Sequence, residues 1–289
     1  MGVSVFRWQG VMNAIPPCAI TGTNGYVGGA IAARFESLGA HILRLSRSSG
    51  YSLAHPPSPS DFAGRAAETL IHCAYDFSVT SWADIRRVNV DGSIRLFDAA
   101  RRGGVQRIVF VSSLAAYDGC ASLYGRGKRL VEQAVLERGG QVIRPGTVFG
   151  PAPRGIMGAL TSQVATRRWI PVIQHPRSLH LAHEEDVIAL VATLAAAGGD
   201  AAGPGVWRAS GPRAWTLQEL VAAMARRSHR RVRLLPVPWQ VVRAGLATAE
   251  RLGLRPAFRS DSVLSLAHPV PADQFASLRV SPDHHFRDF

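Results

Sequence analysis

PCAITGTNGYVGGAIAARFESLGA, residues 17–40, decides the fold. PCAIT is a short apolar run of strand character. Gly22, Gly25 and Gly28 follow, three residues apart, and Val27 to Leu38 then reads as a helix closed by Gly39. In a strand–turn–helix the first glycine permits a tight turn and the second lets a pyrophosphate approach the backbone. The third lets helix and strand pack closely, and the helix N-terminus faces the phosphate charge. The spacing is G-x-x-G-x-x-G rather than G-x-G-x-x-G, so the glycines alone also fit a plain turn. The strand before and the helix after favour a dinucleotide loop.

Working outward, HILRLSR (41–47), TLIHCAY (69–75), VQRIVFVSS (105–113) and QVIRPGTVFG (141–150) read as strands. Trp82 to Arg102 and Leu123 to Arg138 read as helices, and the Pro/Ser-rich 51–61 as loop. Strands alternating with helices imply right-handed βαβ units. Short apolar runs suit strands covered on both faces. The expected fold is α/β: a Rossmann-type doubly wound parallel sheet with a smaller C-terminal α+β substrate-binding region. After Gly150 the pattern loosens. Helices are expected at Asp186 to Ala197, Leu217 to Arg227 and Val241 to Leu252, a strand at 231–237, and the final stretch wraps the surface. This divides the chain into a dinucleotide-binding domain, 13–149, with 181–210 returning to it, and a substrate-binding region, 150–180 and 211–289.

Composition narrows the class. The 289 residues are 47% hydrophobic and 18% charged, enough for a large core. No apolar run reaches the roughly 18 residues that span a bilayer, and the N-terminus lacks a signal-peptide pattern, so no membrane partner is expected. Cys18, Cys73 and Cys120 are widely spaced with no CxxC, which fits a reducing cytoplasm and no disulfide framework or zinc site. The net charge of +13 comes from scattered arginines and reads as a solvated face. Without a basic–aromatic module, nucleic acid is a weak candidate.

Of 33 basic residues only Lys128 is lysine, so a bias toward arginine has been resisted at one position. A need for a compact ammonium explains that. Lys128 lies four residues after Tyr124 at the start of a helix, on the same face; with five tyrosines the chance of that placement is roughly 2%. A free phenol titrates near 10, and an adjacent ammonium is expected to lower it by about 2–3 units. Tyr124 then trades a proton with a carbonyl or alcohol as hydride moves. Lys128 can also hold a cofactor ribose. Ser113, ending VFVSS at the sheet's carboxyl edge, can hydrogen-bond the reacting oxygen, with Ser112 as its rival. At the end of the second strand, Ser46 and Arg47 stand where an acid would favour NAD. A guanidinium can hold a 2′-phosphate, so NADP is expected over NAD.

Together TGTNGYVG, HCAY, VNVDGS, VFVSSLAAY, YGRGK, RPGTVFGP and HEEDV, in this order over residues 17 to 190, resemble the extended short-chain dehydrogenase/reductase superfamily, and within it the NAD-dependent epimerase/dehydratase family. The resemblance implies Ser113, Tyr124 and Lys128 as catalytic residues. It implies cofactor contacts from Gly22, Thr23, Asn24, Gly25, Tyr26, Val27 and Gly28, from Cys73, Ala74 and Tyr75, and from Asn89, Pro145 and Val148. It places Ser113, Arg144 and Thr147 at the substrate, and pairs helices into a homodimer. Only ten residues separate Ser113 from Tyr124, fewer than the family usually has. Asp61 is the one candidate to cap adenine. Leu114 and Ala115 stand where sugar 4,6-dehydratases carry Asp-Glu, which argues against that dehydration.

The expected function is therefore an NADP-dependent oxidoreductase or epimerase acting on a hydroxyl/carbonyl centre of a small molecule, foremost a nucleotide-linked sugar. The alternative is a non-catalytic NADP-binding regulatory or scaffold protein of the same fold. The run His183, Glu184, Glu185 and Asp186 opens a helix, where acids complement the dipole, and no metal site is expected. Trp169, Trp207 and Trp215 are read as core before cavity, and His284-His285 as surface.

Overall fold

The computed structural model describes residues 15–174, 179–196, 203–254, 256, 258–281 and 286–289; the His284-His285 pair lies outside them. Strands β1 (Cys18–Thr21), β2 (Ile42–Leu45), β3 (Thr69–His72), β4 (Arg107–Val111), β5 (Gln141–Pro145) and β9 (Gly205–Ala209) form one sheet. Their order is β2-β1-β3-β4-β5-β9, and every pairing is parallel. Runs such as CAIT and TLIH are buried throughout because helices cover both faces.

One face carries α1 (Tyr26–Ser37) and α7 (Glu184–Ala196), whose Ile31, Phe35, Val187 and Val191 pack on Ile20, Ile71 and Val109. The other carries α2 (Pro59–Ala63), α4 (Asp91–Arg102) and α5 (Leu123–Glu137), with Phe62, Leu96, Phe97, Val131 and Val135 on Leu70, Ile108 and Phe110. α3 (Trp82–Ile85) runs into α4 through a π-helical turn over Arg86–Val90. Strand order reverses between β1 and β3, so a crevice opens at their carboxyl ends.

The second half adds a smaller layer with its own core of Met157, Leu160, Ile170, Val172, Trp215 and Leu220. It contains β6 (Thr147–Phe149), α6 (Gly155–Thr166), β7 (Trp169–Gln174), β8 (Leu179–His183), β10 (Ala214–Trp215), α8 (Leu217–Arg227) and β11 (Arg233–Pro238). β6 and β10 flank β8, and β11 pairs with β7. Three helices follow: α9 (Trp239–Arg251), α10 (Ser260–Ala267) and α11 (Ala272–Ala276). The tail bridges back onto the sheet edge at Trp207–Arg279, and Arg287 N donates to Asp186 at 2.7 Å. No helix of the described residues is long and apolar enough to cross a membrane.

Candidate active site

The crevice is a cavity of about 1260 Å³ running from the glycine turn, past the carboxyl ends of β1, β3 and β4, to α9 and α10. At one end the turn after β1 is formed as the glycines require. Gly22 has φ +71°, and a Cβ there would lie 2.8 Å from Ala74 N. A Cβ at Gly28 would lie 2.6 Å from Gly22 O, so only glycine lets α1 start against the strand. No side chain caps the N-terminus of α1, which opens on the cavity beside Asn24, Gly25 and Tyr26. Its free N–H groups suit a phosphate.

A buried polar chain fixes the loop facing that turn. Ser93 Oγ lies 2.6 Å from Asn89 O and spends its proton there, so His72 Nε2 donates to Ser93 (2.9 Å) and His72 Nδ1 accepts from Thr21 Oγ1 (2.7 Å). Thr21 Oγ1 in turn accepts from Cys73 N and Ala74 N. Every member is satisfied with His72 neutral, and burial pushes its pKa down to about 3. Asn89, buried on the π turn, accepts from Asp76 N (2.6 Å) and donates to Asp76 O (3.0 Å). It latches the 73–76 loop rather than lining the cavity.

At the second-strand end, Ser46 and Arg47 line the cavity. Ser46, Ser48 and Asn24 are linked by hydrogen bonds. Arg44 is taken by Glu36 in a two-pronged pair at 2.7 and 2.6 Å, while the Arg47 guanidinium makes no ion pair or hydrogen bond among the described residues. The cavity therefore has an uncommitted guanidinium at this end.

Tyr124, Lys128 and Ser113 line the middle of the cavity. Lys128 is 3% exposed; its Nζ donates to Val111 O at 2.9 Å and lies 4.6 Å from the Phe110 ring centroid and 6.0 Å from that of Tyr124. Burial pushes the ammonium's pKa down to about 8, against support from Cys73 and Glu132. Burial pushes the Tyr124 phenol up to about 12, although Ser113 beside it pulls the other way. The expectation of a lowered tyrosine is thus corrected. Desolvation of the phenolate outweighs the help of its neighbours. Tyr124 stands protonated at neutral pH, as a proton donor must.

Ser112 also reaches the cavity; its Oγ is buried without a hydrogen-bond partner among the described residues, whereas Ser113 Oγ accepts from Ala115 N. Tyr75 and Phe77 wall the phenol, with ring centroids 4.9 and 5.7 Å from that of Tyr124.

The cavity also gathers Val27, Gly28, Cys73, Ala74, Tyr75, Pro145, Thr147 and Val148. Thr23, Asn89 and Arg144 are not part of its lining. Arg144, expected at the substrate, is corrected: it is buried in a two-pronged pair with the wholly buried Glu132 at 2.8 and 2.7 Å. Asp61, expected to cap adenine, instead caps α2 through Ser58 and accepts from Tyr51 Oη at 2.8 Å. None of the three tryptophans lines the cavity: Trp215 is core, Trp207 donates to Gln141, and Trp169 is exposed. His183 and Asp186 are engaged by Arg287.

The sequence reading missed Asp261. Its two carboxylate oxygens accept from Leu123 N (2.8 Å) and Tyr124 N (3.0 Å), fixing the first turn of the helix that carries Tyr124. Ser265 donates to Ser122 Oγ, and Tyr117 Oη donates to His268 O. The α10 segment thus closes the far wall, with Leu254, Phe258, Leu266 and Val270. Arg259, also in this wall, is committed to Phe77 O, Val79 O and Glu250.

A family model described as "NAD dependent epimerase/dehydratase family" matches residues 18–203. Ceramide reductase of Caulobacter vibrioides (strain NA1000 / CB15N) is 32% identical over 136 residues, 46% of this chain and 42% of that protein, so the chain matches less than half of that relative's length. Among solved structures, dTDP-4-dehydrorhamnose reductase (rfbD) from Bacillus anthracis str. Ames in complex with NADP superposes with a TM-score of 0.67 at 16% identity, over 87% of this chain and 98% of that one. MoeE5 in complex with UDP-glucose and NAD gives 0.66 at 20% identity, over 77% and 85%. At those identities the structural likeness speaks for the fold.

Proposed function

Since the chain belongs to the NAD dependent epimerase/dehydratase family, we propose that it is an NADP-dependent reductase that delivers a proton from Tyr124 to a substrate carbonyl. The observation that carries this is a phenol that lines one cavity together with Ser113 and a buried lysine. The residues present fit a dinucleotide. A Cβ would fill the Gly22 and Gly28 cradle, the α1 N-terminus is uncapped, and Arg47 is uncommitted. Gly22, Gly25 and the first turn of α1 would hold the pyrophosphate, Arg47 and Ser46 the 2′-phosphate, and Lys128 the second ribose. NADP, when bound, supplies hydride to a carbonyl carbon or accepts it from an alcohol.

The chain's own part is proton and orientation chemistry. Ser113 hydrogen-bonds the carbonyl oxygen. The Tyr124 Oη proton passes to that oxygen as it becomes an alcohol, leaving a phenolate beside the Lys128 ammonium. The phenolate is then reprotonated from solvent.

We read the substrate as a ketone with an apolar body. The wall beyond Tyr124 is built of Phe77, Ile156, Leu254, Phe258, Leu266 and Val270. A nucleotide-linked sugar, the substrate class expected from the sequence, brings a second diphosphate that needs cationic anchors. Arg259 is committed elsewhere, and Arg154 lies at the glycine turn, donating to Asn24 O. The similarity to a ceramide reductase agrees with the apolar reading. The division of labour expected from the sequence, 13–149 with 181–210 for the cofactor and 150–180 with 211–289 for the substrate, fits β9 joining the main sheet.

The test is NADPH oxidation against long-chain ketones and nucleotide-linked 4-ketosugars. The account expects turnover of the former. Turnover of ketosugars alone replaces the substrate reading. Tight NADPH binding without turnover of any carbonyl favours the non-catalytic alternative.

A further inference from the structure

We propose that the outer face of α9 and β11 is a docking surface for a bilayer containing anionic lipid, from which an apolar substrate enters the cavity past Leu254. Entry of the substrate by this route rests on the substrate reading above; docking itself does not, and it is measurable without turnover.

Three observations carry it. First, α9 is thirteen residues long and none of them is buried. Val241 is 61% exposed, Leu252, just past its end, 74%, and Leu254 62%. Val241, Gly245, Thr248 and Leu252 recur at helical spacing on one stripe. Trp169, paired with Arg233 across β7 and β11, adds an exposed indole with the guanidinium 5.0 Å from its centroid. Indoles favour the boundary between acyl chains and headgroups.

Second, the charge along this stretch of chain is almost all of one sign. Residues 226–254 contain seven arginines and a single acid, Glu250. Glu250 is turned toward Ser260 and Arg259. Arg226, Arg230, Arg231, Arg243 and Arg251 are exposed and make no ion pair among the described residues. Exposed apolar side chains among unpaired cations match the interior and surface charge of an anionic bilayer.

Third, the face is continuous with the active-site cavity. Glu250, Gly253 and Leu254, at the end of α9, line that cavity. Leu254 is exposed on the surface while it lines the route to Tyr124. The lack of a spanning segment, which led the sequence reading to discount membranes, does not bear on a protein lying on one, because an interfacial helix needs only an apolar stripe and a cationic flank.

The experiment is co-sedimentation of the full chain with vesicles of pure phosphatidylcholine and of equimolar phosphatidylcholine and phosphatidylglycerol. The proposal expects binding to the second and little to the first, weakening as salt rises. Arg230→Glu with Arg231→Glu should weaken partitioning about tenfold or more, and Val241→Asp with Leu252→Asp should abolish it. Both variants lie outside the cavity lining, so they should keep NADPH binding and turnover of a short, water-soluble ketone. Equal binding to both vesicles, binding to neither, or a self-association that the Val241/Leu252 variant disrupts would overturn the proposal. Loss of soluble-ketone turnover in the wild-type chain, with vesicle binding intact, would instead refute the reductase reading.

Discussion

Replacing Lys128 by Met should make the protein more stable and less active. The ammonium is buried, and its pKa falls from the ordinary 10.5 to about 8. At about 1.36 kcal/mol per pH unit that gap amounts to roughly 3 kcal/mol of folding free energy lost to keeping the charge inside at neutral pH. Met fills similar space without charge. It forgoes the bond to Val111 O, worth about 2 kcal/mol because its donor is charged. The net gain is ~1 kcal/mol at pH 7, a few degrees in Tm.

The sign has a pH signature. Between about 8 and 10.5 the unfolded chain binds more protons than the folded one, so wild-type stability rises with pH across that window. The advantage of Lys128→Met should be full below pH 8 and fade toward 10.5. Urea unfolding of both proteins at pH 7, 8.5 and 10 measures it. A variant less stable than wild type at pH 7, or an advantage that does not shrink with pH, would refute the reasoning. A stability cost retained at the chain's one lysine marks a group kept for function.

Other expectations follow from single contacts. Arg47→Ala should weaken NADPH binding about 10- to 100-fold and leave NADH nearly unchanged, read by fluorescence titration. Asp261→Asn keeps the shape but removes the charge that caps the Tyr124 helix; it should lower kcat about tenfold with NADPH affinity kept, and Asp261→Glu should restore part of it. Arg144→Met strands the buried Glu132 and should cost about 3–5 kcal/mol in denaturant melts, with Glu132→Gln in the same chain recovering part. Turnover that needs the Lys128 ammonium should fall as pH rises through about 8, and a profile flat from pH 7 to 10 would remove that role.

What was legible in the sequence was local. The glycine turn, the four-residue step from Tyr124 to Lys128 and the end of strand VFVSS depend on neighbours along the chain, and all three meet in one cavity. What failed depended on distant partners. The resemblance put Arg144 at the substrate, but folding buries it against Glu132 of α5. Asp261 carries no motif, and only folding brings it to Leu123 and Tyr124 from 137 residues away. Spacing also said nothing of the dielectric around Tyr124, so it named the cation that would lower the phenol and missed the burial that raises it. His72 left a faint trace, a polar ring inside the apolar run TLIH, which a buried network explains. The scattered arginines read as a solvated face; the exposed leucines and valine among those of residues 226–254 appear only when α9 is seen to bury nothing.

The most direct test of the central claim is single-turnover oxidation of NADPH with a long-chain ketone by the wild-type protein and Tyr124→Phe. The account predicts that the variant binds NADPH as tightly and transfers hydride about 10²–10⁴ times more slowly. Hydride transfer at the wild-type rate by Tyr124→Phe would contradict it.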